Sequence, residues 1–222
     1  MTDDLLQMLL EGTGQTLYMV ALSTLIAVII GLPIGVLLVV TDKNGVVPLP
    51  KINKVIGTVI NIIRSLPEMI LIIVLLPLAR LIVGTTLGSD AAIVSLSIGS
   101  APFLARIIEN SLKEVQYGKI EAAEALGASP FEIIIKVLIP EALPSIVRGI
   151  TIAIITITGF TAIAGAIGGG GLGSLAIRYG YQRFRNDVLI ATVIILVIIV
   201  QSVQLIGDLT AKFINKRRFK FE

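Results

Sequence analysis

Residues 12–41 read GTGQTLYMVALSTLIAVIIGLPIGVLLVVT, 30 residues without a charge, closed by Glu11 on one side and Asp42 on the other. A helix that crosses a bilayer needs about 20 mostly apolar residues. This stretch therefore reads as a membrane span, and the rest of the chain repeats the pattern. Ala91–Ala105 is a 15-residue uncharged run, Gly149–Ile177 one of 29 and Val188–Gly207 one of 20. A further run, Ile52–Ala79, is interrupted only by Lys54, Arg64 and Glu68 and has the apolar core Met69-Ile70-Leu71-Ile72-Ile73-Val74-Leu75-Leu76. The reading is an all-α polytopic membrane protein with five transmembrane helices, at about 14–40, 57–80, 91–109, 146–168 and 188–210.

Composition agrees. Of 222 residues, 55% are hydrophobic and 15% charged, and the mean hydropathy is +0.96. Soluble domains carry about 25% charged residues. The absence of Cys excludes disulfides, thiolate nucleophiles and Cys-ligated zinc. The absence of His removes the commonest general base and metal ligand. A net charge of +3 gives no reason to expect nucleic acid. The start Met1-Thr2-Asp3-Asp4 is acidic, whereas a cleavable signal peptide has a basic start, so the first span is expected to be retained.

Five spans place the termini on opposite sides. With the C-terminus inside, 13 Lys and Arg face the cytosol, among them Lys43, Lys51, Lys54, Lys212, Lys216, Arg217, Arg218 and Lys220. Four face outward (Arg80, Arg178, Arg183, Arg185), with Arg64 left within the membrane. The positive-inside rule then puts the N-terminus outside and the C-terminus in the cytosol.

One long polar segment, about 110–145, is left on the cytosolic side. Lys119–Leu126 is rich in helix formers, Gly127 suits a helix C-terminus and Ser129-Pro130 suits the start of another helix. The segment is expected to form two short helices with a bend at Gly127. Ile120, Ala123 and Gly127 share one small face, which could admit a partner closely.

Within this loop, Glu121-Ala122-Ala123, then three residues and Gly127, then nine residues and Val137-Leu138-Ile139-Pro140, resemble the EAA motif of binding-protein-dependent ABC importer permeases. The resemblance extends to Arg64-Ser65-Leu66-Pro67, Arg80–Thr85, Ala101–Arg106, Lys136–Pro144, Gly168–Gly173 and Tyr179-Gly180-Tyr181, which are similar to the methionine-uptake branch of that family. It implies that 1–222 is one importer transmembrane domain, in which Ile120, Glu121, Ala122, Ala123, Gly127, Ile139 and Pro140 couple to a cytosolic ATPase. It also implies a homodimer in the bacterial inner membrane, among its lipids, with two ATPase subunits and an extracytoplasmic methionine-binding protein. ATP and Mg would be bound by the ATPase, with no cofactor in this chain. Glu68 stands where the branch usually has a large apolar residue, and Ile163 where it has Met.

Remaining features carry competing readings. Gly168-x-Gly170-x-x-Gly173 has the form of a dinucleotide fingerprint, but it follows a hydrophobic span rather than a strand, and no Gly-Lys-Ser/Thr occurs. Nucleotide binding is therefore rejected. The run is either packing at a span end or an unwound stretch beside a translocation path. Arg64 and Glu68 have the spacing of a helical ion pair at the interface, with a polar group lining a cavity as the alternative. Thr161, Ile163, Gly165, Gly168 and Glu68 are the candidates for the path. Thr151, Thr156, Thr158, Thr192, Gln201, Ser202 and Gln204 are expected to bond within or between helices. The function expected is a permease subunit, not an enzyme, forming a path for methionine, with L-methionine, D-methionine and derivatives as the candidate solutes. A permease for another small amino acid and a proton-coupled carrier are the rivals, the latter having only Glu68 as an acidic relay.

Overall fold

Long apolar runs interrupted by few glycines and prolines become helices in a membrane, because each backbone group must be satisfied within its own segment. In the computed structural model, which describes residues 2–218, all regular structure among the described residues is helical. Met1 and Lys220, used in the charge argument above, lie outside them. The elements are α1 (Thr2–Val40), α2 (Pro50–Arg64), α3 (Glu68–Val83), α4 (Ser89–Lys113), α5 (Tyr117–Ala125), α6 (Pro130–Ile133), α7 (Ile139–Ala166), α8 (Gly171–Leu175) and α9 (Asn186–Arg218). Two π-helical turns, Ile134–Leu138 and Ala176–Tyr181, lead into α7 and follow α8. Four helices are long and apolar enough to cross a membrane, and a fifth crossing arises if α2 and α3 form one bent span.

Several boundaries differ from the sequence reading. The stretch 57–80 is not one helix. It breaks at Ser65-Leu66-Pro67, and the chain bends there by 105°. Pro67 has no N–H and disfavours helical angles at Leu66, so the first helix stops and a new one starts from Glu68. The fourth span begins well before residue 146. One helical run extends from Pro130 to Ala166, and the π turn at Ile134–Leu138 lies just before Pro140, so the missing amide and the ring are accommodated without ending the helix. Because α4 also continues to Lys113, the 110–145 loop shrinks to 114–129, with α5 as its one short helix.

The chain forms two compact units, each from three stretches. The first comprises the chain up to Ala27, Leu66–Ser100 and Ala153–Gln204. Its core is Met19, Ile72, Ala92, Ile93, Leu96 and Ala164, with Leu22, Ile26, Phe160, Ile163 and Ile167 packed against it. Tyr18 Oη donates to Asp90 Oδ1 at 3.1 Å. The second comprises Val28–Ser65, Ala101–Ile152 and the chain from Leu205 onward. Its core is Leu38, Ile60 and Ala105, flanked by Ile34 and Ile56. Here Gly31 and Gly35 let α1 lie directly on α4. A Cβ at Gly31 would sit 3.0 Å from Ala101 O, and one at Gly35 only 2.7 Å from Ala105 O. Small residues four apart are what membrane helices use for such approach, since lipid supplies no hydrophobic drive between helices.

Candidate functional site

The loop that carries the EAA-like residues lies in the second unit and is tied at both ends. Lys119 Nζ donates to Glu141 Oε2 at 2.7 Å, fastening α5 to the start of α7. At its C-terminus, Ala128 N donates to Ala123 O (3.0 Å) and Gly127 N to Glu124 O (2.9 Å). This paired closure needs a left-handed residue, and Gly127 supplies it with φ +79°. Ser129 then caps the next helix. Its Oγ accepts from Glu132 N, and its own N–H donates to Glu132 Oε2 at 3.0 Å. The bend at Gly127 and the restart at Ser129-Pro130 thus stand where the residue types put them.

The orientation of α5 does not follow the sequence reading. Ile120 and Ala123 are half-buried, and Ile120 lines a cavity of about 240 Å³ with Val39, Val46, Leu112 and Leu138. Glu121, Ala122, Glu124, Ala125, Leu126 and Gly127 are exposed, Leu126 at 89%. The expected face of Ile120, Ala123 and Gly127 is therefore split. Ile120 packs toward the chain itself and Ala123 is half-covered, whereas Gly127 is as open as Glu121, Ala122, Glu124, Ala125 and Leu126. A helix with small residues all round gives no amphipathic signal to decide this, so only packing does. Ile139 is half-buried and Pro140 exposed, both within the continuous helical run. Nothing lies within 4 Å of a Cβ built at Gly127.

Sequence reasoning missed an ion network behind this loop. Glu109, 5% exposed, accepts from Arg106 Nη1 at 2.5 Å and from Lys113 Nζ at 2.9 Å. Arg106 Nη2 also donates to Gly57 O (3.1 Å) and Asn61 Oδ1 (2.9 Å), and Lys113 pairs with Asp42 at 3.1 Å. The Lys113 ammonium donating to it holds the Asp42 carboxyl below the usual range. The network joins the end of α1, α2 and α4. Its signal in the sequence was the Arg-x-x-Glu-x-x-x-Lys spacing over 106–113, three and four residues apart on one helix face.

The candidates for the path lie in the first unit. Thr161 is buried, and its hydroxyl donates to Thr158 O at 2.7 Å. Ile163 packs against the Met19–Leu96 core. Gly165 is held against the α8 backbone, where a Cβ would meet Ser174 N at 2.5 Å. Within this chain, Thr161 and Gly165 are buried and Ile163 is half-buried. Gly168 is exposed, with φ +100°. The glycine run is a tied break. Gln15 Oε1 accepts from Gly171 N (2.7 Å), Thr16 Oγ1 from Leu172 N (2.9 Å), and Gly168 O from Gly88 N (2.9 Å). Thr151, Thr158, Thr192 and Ser202 donate to carbonyls of their own helices.

The expected Arg64–Glu68 pair does not form among the described residues, because the break places the two on different helices. Glu68 instead starts α3 and is half-buried, with Oε1 shielded and unpartnered. A Cβ on Gly99 would lie 3.2 Å from that oxygen.

The fold is a set of apolar helices, four of them long enough to cross a membrane, with the short helix α5 in the polar stretch 114–129. The family model described as "binding-protein-dependent transport system inner membrane component" matches residues 27–220, and the chain belongs to that family. It is accordingly a multi-pass membrane protein and a transport subunit rather than an enzyme. The chain is 46% identical to a protein named probable D-methionine transport system permease protein MetI of Vibrio cholerae, over 95% of this chain and 93% of that one. It is 50% identical to the methionine import system permease protein MetP of Bacillus subtilis over 82% of each. Its structure is similar to a chain of the inward-facing MetNI methionine ABC transporter, with TM-score 0.95 and 42% identity, covering 96% of this chain and 99% of that one. An amino acid ABC transporter solved with histidines shares the fold, with TM-score 0.77 at 22% identity.

Proposed function

We propose that this chain is the permease subunit of an ATP-driven methionine importer of the bacterial cell membrane. The observation that carries the reading is the full-length likeness to the MetNI methionine transporter. The tied EAA-like helix at Tyr117–Ala125 accords with it. Residues 1–222 act as one transmembrane domain, with the N-terminus outside and the C-terminus in the cytosol. Two copies form the path, embedded in lipid. Two ATPase subunits, which carry the ATP and Mg, dock on α5, and an extracytoplasmic binding protein delivers the solute. When ATP closes the ATPase pair, α5 moves with it. Because α5 is locked to α7 by the Lys119–Glu141 pair and the capped turn at 126–130, that motion reaches the spanning helices and turns the cavity outward. Hydrolysis resets it.

The test is co-purification with the partner ATPase, followed by uptake in proteoliposomes loaded with ATP and supplied with the binding protein. ATP-dependent accumulation of L- or D-methionine is the expected result. Uptake driven by a proton gradient without an ATPase, or ATP-driven uptake that excludes methionine, overturns the reading.

A further inference from the structure

Glu68 is used by none of the packing described above. It lies at the first residue of α3, beside an unwound stretch in which Ser65, Leu66 and Pro67 are all exposed. Along α3 the packed face runs through Leu71 and Ile72, both buried, and ends at Glu68, which is only half-buried. Its depth follows from its neighbour. Gly99 is the eleventh residue of the 25-residue α4, about 15 Å from its start at 1.5 Å per residue. Glu68 therefore stands beside the middle of α4 and not beside its end, further along than its distance from Arg64 in the sequence suggested.

A half-buried carboxyl with one shielded, unpartnered oxygen is costly to hold as an isolated anion, and a proton or a cation at its open side relieves that cost. No Lys or Arg side chain supplies that cation among the described residues. Discontinuous helices near the middle of a membrane are where transporters contact their solutes, and an intramembrane ionisable residue is a functional site by default. We propose that Glu68 is a solute-contacting residue, whose carboxylate accepts charge-assisted hydrogen bonds from the α-ammonium group of the amino acid as it passes the break before α3. The inference rests on the reading of this chain as an amino-acid importer. A charged acceptor makes hydrogen bonds about twice as strong as neutral ones.

The test uses the reconstituted complex with its ATPase and binding protein. Glu68→Gln keeps the shape and one acceptor oxygen but replaces the other with an amide donor and removes the charge. Its ATP-driven uptake should fall by about tenfold or more, with assembly and the ATPase response to loaded binding protein within twofold of wild type. Glu68→Asp should keep part of the uptake. If Glu68 is a neutral packing acid, Glu68→Gln transports within twofold of wild type, and the proposal fails. It fails equally if Glu68→Gln loses assembly and Glu68→Asp behaves the same way, which assigns the residue to folding. A wild-type complex that moves another α-amino acid but not methionine overturns the methionine reading alone, and the same variants then test Glu68 on that solute.

Discussion

Glu109 shows how one buried carboxylate can hold several segments at once. It is the common acceptor for Arg106 and Lys113, and through them the network reaches Gly57, Asn61 and Asp42. Hydrogen bonds to charged groups are worth roughly 1.5–3 kcal/mol, and the cost of leaving a partner unsatisfied adds to their loss. Glu109→Gln should therefore lower the stability of the purified protein by about 2 kcal/mol, read from the midpoint of thermal unfolding in detergent. A change of less than a few tenths of a kcal/mol would remove the network from the account. Asp42 is the exposed end of the same network. Its pKa is lowered in the folded chain by Lys113. Its contribution is therefore present in full above the unfolded value and is lost as pH falls through the lower folded one. Exposed pairs are worth about 0.2–1 kcal/mol. Asp42→Asn should be slightly less stable than wild type at pH 7, and the gap should close on acidification below about pH 4, near the ordinary Asp value. A gap that widens in acid would contradict the assigned sign.

At the scale of the element, α5 and its closing turn make two claims that separate. The first concerns backbone. Gly127 has φ +79° with open space around it, so a side chain there is penalised by conformation and not by crowding within the chain. The left-handed region costs most residues about 1–2 kcal/mol, and Asn the least. Gly127→Val should insert into the membrane normally but lose ATP-driven uptake, whereas Gly127→Asn should retain most of it. Equal transport by both would mean that the turn is not needed for coupling. The second concerns which face meets the partner. Leu126 is exposed and Ile120 lines the cavity behind the helix. Leu126→Lys should weaken co-purification of the ATPase while leaving thermal stability near wild type. Ile120→Ala should do the reverse, lowering stability, with burial of such a side chain worth about 1.5–3 kcal/mol when complete. The opposite pattern would restore Ile120, Ala123 and Gly127 as the docking face.

At the scale of the molecule, the distribution of Lys and Arg is the basis of the proposed orientation. Since the chain has no Cys, single cysteines report it cleanly. In intact cells, Ser89→Cys should react with a membrane-impermeant thiol reagent and Ser129→Cys should not. The inverse pattern would reverse the proposed topology. The bend before α3 also matters at this scale, because it converts one expected span into two helices, which form a fifth crossing beside the four long apolar helices only if the bent pair acts as one span.

How much of this was legible in the sequence depends on whether the signal is local. The spans were readable because hydrocarbon forces backbone groups to bond within their own segment, so apolar length alone reports a helix. The turn at Gly127, the restart at Ser129-Pro130 and the EAA-like spacing were readable because caps and left-handed residues are chosen by chemistry at single positions. The span boundaries moved because Pro67 ends a helix while Pro140 is carried through by a π turn, and a proline alone does not announce which. The Gly31-x-x-x-Gly35 pair was present in the sequence, but which helix it admits is known only from packing on Ala101 and Ala105. The same holds for the inward face of α5, the separation of Arg64 from Glu68, and the depth at which Glu68 meets Gly99. The sequence by itself determined the class of protein, its helices and its EAA-like loop, because those follow from composition and nearest neighbours. The tertiary structure alone decided which side chains are buried in a core and which are left open, because that depends on residues far apart in the chain being brought within van der Waals distance.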